Sequence, residues 1–136
     1  MSRVNNSDIV PAAIKGKRAQ NSTGYFRTDR ERVEWSNYNH PRIRAILNER
    51  RDSITQVIYS YATPIAWKDG NVWVIPEERH SATTSSQHQG RLWSLPNAVR
   101  IPEDASMQNY RDILRGYIRL DWRGRHRVMV KGPKSR

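Results

Sequence analysis

The chain has 136 residues, no cysteine and a formal net charge of +11. The length predicts one domain, and the lack of cysteine excludes disulfides, a thiol nucleophile and a cysteine-ligated zinc site. Neither a membrane-spanning apolar run nor an N-terminal apolar signal region is present in the sequence, so we expect a cytoplasmic protein that makes no membrane contact.

The excess positive charge lies at the two ends of the chain. Residues 1–32 hold seven Lys/Arg and three Asp/Glu, residues 115–136 hold eight and one, and residues 33–114 hold nine of each. This segregation predicts a basic N-terminal arm over 1–32, a folded domain over 33–118 and a basic C-terminal arm over 119–136. Basic arms attract polyanions by releasing condensed counterions, which indicates nucleic acid as a partner.

The N-terminal arm shows no sustained helical or strand period over residues 1–24, so we expect it to be disordered without a partner. Tyr25 and Phe26 follow, close to Arg27 and Arg30. Aromatic rings beside arginines can stack on bases and hold phosphates, or they can pin an arm to the domain surface. The sequence leaves both alternatives open.

The first predicted helix covers about residues 40–51. Asn39 precedes Pro41 in a typical helix start, with a capping side chain and a proline at the first turn. Ile43, Ile46 and Leu47 then share one apolar stripe. A helix this short needs a packing partner, so we expect it to dock on a sheet.

Two β-rich runs follow, at about 54–67 and 71–76. Asp69-Gly70 lies between them, and this dipeptide between apolar runs is a strong hairpin signal because both residues tolerate positive φ. Pro64 cannot donate to a sheet ladder, which places it at an edge or a bulge. The pattern predicts one hairpin.

Two more helices are predicted. Hydroxyl side chains in the run 81–86 can cap a helix near 87–95 that ends before Pro96. A longer helix at about 104–119 carries an apolar stripe of Met107, Tyr110, Ile113, Leu114, Tyr117 and Ile118. The expected fold class is therefore α+β: a small domain with a β-hairpin, which residues 128–130 could join as a third strand, packed by three helices and flanked by basic flexible arms.

The candidate catalytic groups do not form a recognisable signature. His80 and His88 flank the hydroxyl run, but no nucleophile elbow, glycine-rich phosphate loop or carboxylate cluster accompanies them. The four histidines match no common metal-ligand spacing. We expect a protein that is not an enzyme, with no catalytic residues, no metal and no cofactor.

One stretch resembles a module of small uncharacterised bacteriophage proteins, especially of phages that infect actinobacteria. The resemblance rests on about 28 residues, from Tyr61 to His88: Tyr61-Ala-Thr-Pro-Ile-Ala-Trp67, then Gly70, then Ser81-Ala-Thr-Thr-Ser85 and His88. That family has no agreed function. The resemblance implies a phage accessory protein that acts in the host cytoplasm. Thr83, Thr84, Ser85 and His88 would be structural or would form a ligand site.

The sequence as a whole predicts a nucleic-acid-binding protein, on DNA or structured RNA, including ribosomal RNA. The alternative is a phage-encoded factor that binds and modulates a host protein. Whether the chain self-associates is not indicated. We expect the C-terminal arm to provide most of the electrostatic affinity and the N-terminal cluster to add a second contact. The predicted contact residues are Lys15, Lys17, Arg18, Arg27, Arg30, Arg119, Trp122, Arg123, Arg125, Arg127, Lys131, Lys134 and Arg136.

Overall fold

The computed structural model describes residues 2–30, 41–61, 63–77, 88–102, 105–115, 118–120 and 127–129. These residues form three α-helices, one 3-10 helix and nine strands. In chain order they are β1 (Ser2–Arg3), α1 (Asn6–Ile14), β2 (Ala19–Gln20), β3 (Phe26–Asp29), α2 (Pro41–Arg50), β4 (Ile54–Ser60), β5 (Thr63–Asp69), β6 (Val72–Glu77), the 3-10 helix (Gln89–Ser94), β7 (Ala98–Pro102), α3 (Met107–Leu114), β8 (Ile118–Leu120) and β9 (Arg127–Met129).

Seven strands form one mixed sheet in the order β1-β2-β3-β4-β5-β6-β7. The outer pairs β1–β2 and β6–β7 are parallel, and the four pairs between them are antiparallel. The α+β class is therefore confirmed. The prediction of a hairpin with at most a third strand is wrong, because strands before and after the hairpin extend the sheet on both sides.

Helices cover both faces of the sheet. On one face, α2 and α3 pack on a core that contains Trp67, with Ile46 and Tyr110 among its members. On the other face, α1 and the 3-10 helix pack on a core that contains Trp73 and Phe26. Both tryptophans are buried, so the two rings fill space on opposite sides of the sheet.

The run predicted as one strand over 54–67 is two strands, β4 and β5. Ser60 pairs with Thr63, so the chain reverses direction after Ser60, at Tyr61. Tyr61 has φ of +59°. The sequence offered no Gly, Asn or Asp here, so the usual turn signal was missing. The register shifts between Ile58 and Tyr59, opposite the segment with Pro64, so of the two predicted alternatives, an edge or a bulge, the structure has the bulge.

The other hairpin and the first helix are confirmed. Asp69 pairs with Val72, and Gly70 has φ of +65° between β5 and β6. Helix α2 begins at Pro41 and ends at Arg50. Its apolar stripe of Ile43, Ile46 and Leu47 is buried, as the spacing predicted.

The expectation of a flexible N-terminal arm is wrong. Helix α1 buries Ile9, Val10 and Ala13, and β3 pairs with β4 over four residues. Two features made this structure hard to predict from the sequence. Pro11 lies inside α1, where a proline normally ends a helix, and β1 and β2 are two residues long. The N-terminal segment is therefore ordered by pairing with strands distant in the sequence, not by its local helix or strand propensity.

The C-terminal part also departs from the predictions. Helix α3 ends at Leu114 rather than near 119, and residues near 87–95 form a 3-10 helix with Gly90 inside it. Strand β9 pairs with β8 in a separate two-stranded sheet, not with the hairpin, whose edge β7 occupies. The rest of the predicted C-terminal arm, 121–126 and 130–136, lies outside the described residues.

Candidate nucleic-acid interface

A pocket of about 350 Å³ lies where α1 ends against the sheet. The end of β3, the start of β4 and the end of β5 form its floor. Its lining residues are Ala13, Ile14, Lys15, Gly16, Arg30, Thr55, Gln56 and Lys68. The three charged side chains in this lining are all cationic.

Lys15, Arg30 and Lys68 come from three separate segments and meet at this pocket. None of the three forms an ion pair with a described residue. Three cations around one concave site, without a neutralising carboxylate among them, raise the local potential and attract anions. The pocket can therefore take an anionic group such as phosphate.

Gln56 fixes the floor of the pocket. Its side-chain nitrogen donates to the Lys17 carbonyl oxygen at 2.9 Å and to Thr28 Oγ1 at 2.8 Å. Thr28 Oγ1 in turn donates to the Val57 carbonyl oxygen at 2.8 Å. These bonds tie the segment after α1 to β3 and β4, so the backbone that carries Lys17 has a set position.

Asp29 is the acidic group next to this surface. Arg18 Nε lies 3.2 Å and Arg27 Nη1 3.6 Å from its carboxylate oxygens. We define the basic cluster as Lys15, Lys17, Arg18, Arg30 and Lys68; with Asp29 it carries five positive charges and one negative. The cluster therefore keeps an excess of four positive charges.

Arg27 has a different environment from the cluster. Its guanidinium carbon lies 4.1 Å from the centre of the Tyr59 ring, a cation–π contact. Burial raises the pKa of Tyr59, so its hydroxyl stays protonated at neutral pH. Arg27 thus packs on the domain as well as pairing with Asp29, and its assignment as a nucleic-acid contact stays a prediction.

The structure brings together four of the predicted contact residues: Lys15, Lys17, Arg18 and Arg30. Arg119 and Arg127 lie in β8 and β9, which pair antiparallel. The remaining predicted contacts lie outside the described residues; they are Trp122, Arg123, Arg125, Lys131, Lys134 and Arg136.

Lys68 and Gln56 were not predicted. They are cross-strand partners in the β4–β5 register, which places both on the face that carries α1. No local pattern marks Lys68, because it stands within an apolar strand beside the hairpin turn. Only the pairing of Lys68 with Gln56, across eleven intervening residues, would have found it, and the register of this strand pair contains bulges.

A second surface feature lies at the opposite ends of β3 and β4. Tyr25 and Tyr61 stack with their ring centres 4.7 Å apart and an interplanar angle of 25°. We call this pair the tyrosine stack. Beside it, Phe26 and His88 stack at 4.3 Å and 9°, and this second pair is buried.

His88 is also bonded to Ser60, with 2.6 Å between Nδ1 and Oγ. A serine hydrogen-bonded to a histidine at this distance also occurs in hydrolytic triads. Here both are buried, with 1 % and 2 % of their surface exposed, so Ser60 Oγ does not face an approaching substrate. Burial, and then the charge of Arg91, lowers the pKa of His88, which keeps the ring neutral. The pair fastens the 3-10 helix to the sheet. Residues 83–85 of the hydroxyl run lie outside the described residues.

No three or more His, Asp or Glu side chains among the residues that the structure describes come close enough to hold a metal ion. Within the same residues, each helix is too short or too polar to cross a membrane.

Comparison with known proteins gives one match. A family model described as "Family of unknown function (DUF8033)" matches residues 36–108, which are 73 of the 136 residues. No curated protein and no solved structure matches the chain. The matched segment includes Tyr61, Lys68 and His88, and it begins after the other four members of the basic cluster.

Proposed function

We propose that this chain, which belongs to the family of unknown function DUF8033, is a non-enzymatic nucleic-acid-binding protein of the cytoplasm. The observation that carries the proposal is the convergence of Lys15, Arg30 and Lys68 on one pocket. The basic cluster holds phosphate groups of the nucleic-acid backbone there.

The charge of the whole chain supports this assignment. A net charge of +11 is large for 136 residues, and the basic cluster concentrates part of it on one face. Lysine and arginine contacts to phosphate release counterions, which gives affinity that depends on salt and little on base sequence. An acidic small molecule would account for the pocket but not for the excess charge elsewhere in the chain.

The resemblance to phage proteins adds a biological setting to the proposal. It implies a phage-encoded accessory protein that acts in the host cytoplasm, and this stays a prediction. The predicted contacts at the C-terminus, from Arg119 to Arg136, would add further electrostatic contacts with phosphates. The C-terminal arm and the basic cluster are then two parts of one binding mode.

Fluorescence anisotropy against labelled DNA and RNA, titrated over a range of salt concentrations, tests the proposal. The pocket variant replaces Lys15, Arg30 and Lys68 with glutamine. If each residue holds one phosphate, log Kd against log salt should become shallower by roughly 2–3 units. The binding should also weaken for every sequence tested.

A matched control has the same charge change on the opposite side of the sheet. Arg42, Arg51 and Arg115 are exposed and lie in or beside α2 and α3. Replacing these three with glutamine should leave most of the affinity and slope intact. Equal effects of the two triple variants would show that net charge alone matters and would refute the pocket. Absence of salt-dependent binding to any nucleic acid would favour the protein-interaction alternative.

A further inference from the structure

The tyrosine stack is an exposed aromatic surface. Tyr25 has 52 % and Tyr61 has 44 % of its surface accessible to solvent, against 40 % for the exposed Ile14. Because Tyr61 covers one face of the Tyr25 ring, the exposed half of Tyr25 includes its outer face. A flat ring is therefore open to a planar ligand.

The backbone holds Tyr61 in a conformation that tyrosine rarely adopts. Its φ of +59° lies in the left-handed region, which bulky residues rarely adopt and glycine adopts without steric strain. The Tyr61 amide nitrogen donates to the Tyr25 carbonyl oxygen at 2.6 Å, so the turn is fixed against the start of β3. Strained residues of this kind cluster at functional surfaces, where the surrounding structure maintains them.

A rigid base supports the tyrosine stack. The His88 ring lies 6.1 Å from the Tyr61 ring, and His88 is itself fixed by Phe26 and Ser60. The exposed Arg91 lies in the 3-10 helix three residues after His88. Preformed rings lose little conformational freedom when they bind a ligand.

We propose that the tyrosine stack binds an unpaired base of a single-stranded nucleic acid, a step that rests on the proposed function. Every base has a π-face, and stacking on an exposed aromatic ring is the common way to hold single strands. In a duplex both faces of each base are covered by its neighbours, so the outer face of Tyr25 can meet only an unpaired base or a terminal one. The positive charge of the chain selects an anionic strand over a neutral planar ligand.

The two surfaces are arranged along α1. Asn6, at the start of α1, accepts a hydrogen bond of 2.8 Å from Asn21, which bonds to Phe26 beside the tyrosine stack. Lys15, after its end, lines the basic pocket. A nine-residue helix is about 14 Å long. One strand can therefore stack a base at one end of α1 and place phosphates on the basic cluster at the other.

The test uses three labelled probes in anisotropy titrations: single-stranded oligothymidine of about 16 nucleotides, an abasic strand of equal length, and a duplex of equal length. The abasic strand keeps the phosphates and removes the bases. The intact protein should bind oligothymidine about tenfold more tightly than the abasic strand, the size expected for one stacked base.

Two variants remove the rings without removing charge. Tyr61→Gly suits the positive φ, so the turn should stay folded; Tyr25→Ser replaces an exposed ring. Tyr25→Ser removes the ring that meets the base and should weaken oligothymidine binding about tenfold, to the abasic level. Tyr61→Gly removes the support of that ring and should weaken the binding less. The salt slope should be unchanged in both variants. Tyr61→Phe keeps the ring and should restore the affinity. Circular dichroism checks that each variant is folded.

The outcomes separate this inference from the proposed function. The stacking proposal is overturned if oligothymidine and the abasic strand bind equally and the tyrosine variants bind as the intact protein does. If that binding depends on salt, the proposed function still stands. Duplex binding that exceeds oligothymidine binding would overturn the stacking proposal as well. If no probe binds, the proposed function and this inference fail together.

Discussion

Tyr110 and Tyr59 give a matched test of the energetics of the domain. Both side chains are buried on the face that carries α2 and α3, with 0 % and 2 % exposed. The Tyr110 hydroxyl donates to Asp69 Oδ2 at 2.7 Å and accepts from Trp67 Nε1 at 3.0 Å. The Tyr59 hydroxyl has no hydrogen-bond partner in the described part of the chain. The same Tyr→Phe change should therefore have different effects at the two positions.

Tyr110→Phe breaks a buried network. Burial and the adjacent Asp69 raise the pKa of Tyr110, so its hydroxyl is protonated and can donate to the carboxylate. Removing it takes away a hydrogen bond to a charged group, which contributes about 1.5–3 kcal/mol. It also leaves the buried Trp67 N–H without its acceptor, at about 1–3 kcal/mol. Because the two terms overlap, we expect a loss of about 2–4 kcal/mol in the free energy of unfolding.

Tyr59→Phe removes a hydroxyl that makes no bond to a described residue. Deleting an unsatisfied buried polar group relieves its desolvation, so the change should be within about 0.5 kcal/mol of zero or slightly stabilising. The ring that packs against Arg27 is retained. The volume change is the same as in Tyr110→Phe, which makes Tyr59→Phe the control for packing.

Thermal and urea unfolding of the two variants measure the difference. For a chain of this length, 1 kcal/mol shifts Tm by about 3–4 °C. Tyr110→Phe should therefore lower Tm by about 7–14 °C, and Tyr59→Phe should leave it within about 2 °C. Two results would contradict this explanation: equal losses of unfolding free energy in both variants, or a loss under about 0.5 kcal/mol in Tyr110→Phe. Either would show that the hydrogen-bond network does not distinguish the two sites.

Three further predictions concern single residues. Burial lowers the pKa of His88, so only the unfolded state takes up a proton as pH falls below about 6.5. The free energy of unfolding should therefore drop below this pH by up to about 1.4 kcal/mol per pH unit. His88→Gln should reduce the dependence of Tm on pH, measured from pH 7.5 to about 5. Gly70→Ala should cost about 1–2 kcal/mol in urea unfolding, because φ is +65° and a Cβ meets no atom within 4 Å, so backbone strain is the whole effect. Arg50 forms two 2.9 Å bonds to the buried Asp69, so Arg50→Leu should cost about 3 kcal/mol, and adding Asp69→Asn should recover part of it.

The parts of the fold that the sequence predicted are those defined by short-range signals. Helix α2 begins at a proline and has a three-residue apolar stripe, and the β5–β6 turn has a glycine. Each signal lies within a few residues of the element it specifies. The α+β class was predicted from the apolar stripe over 104–119 and the Asp69-Gly70 hairpin, and the structure contains the hairpin and a shorter helix, α3.

The parts that were missed depend on long-range pairing. Strand β3 pairs before it only with the two-residue strand β2, and its longer pairing is with β4, about 30 positions later along the chain. Tyr61 has a positive φ, which tyrosine rarely adopts, so the strands on either side of the turn override its local propensity. Of the candidate site, the N-terminal lysines and arginines were visible as charge, whereas Lys68 entered the site only through register.

The hydrogen-bond network around Asp69, on one face of the sheet, fixes the strand that carries Lys68 into the pocket on the other face. Side chains alternate along a strand, so Lys68 and Asp69 point to opposite sides of β5. Asp69 is fixed by Arg50 from α2 and by Tyr110 from α3, which holds the end of β5 in place. A one-residue slip of this strand would bury Lys68 and turn Asp69 into the pocket, exchanging a cation for a carboxylate. The buried network therefore determines the sign of the charge that the pocket presents to its ligand.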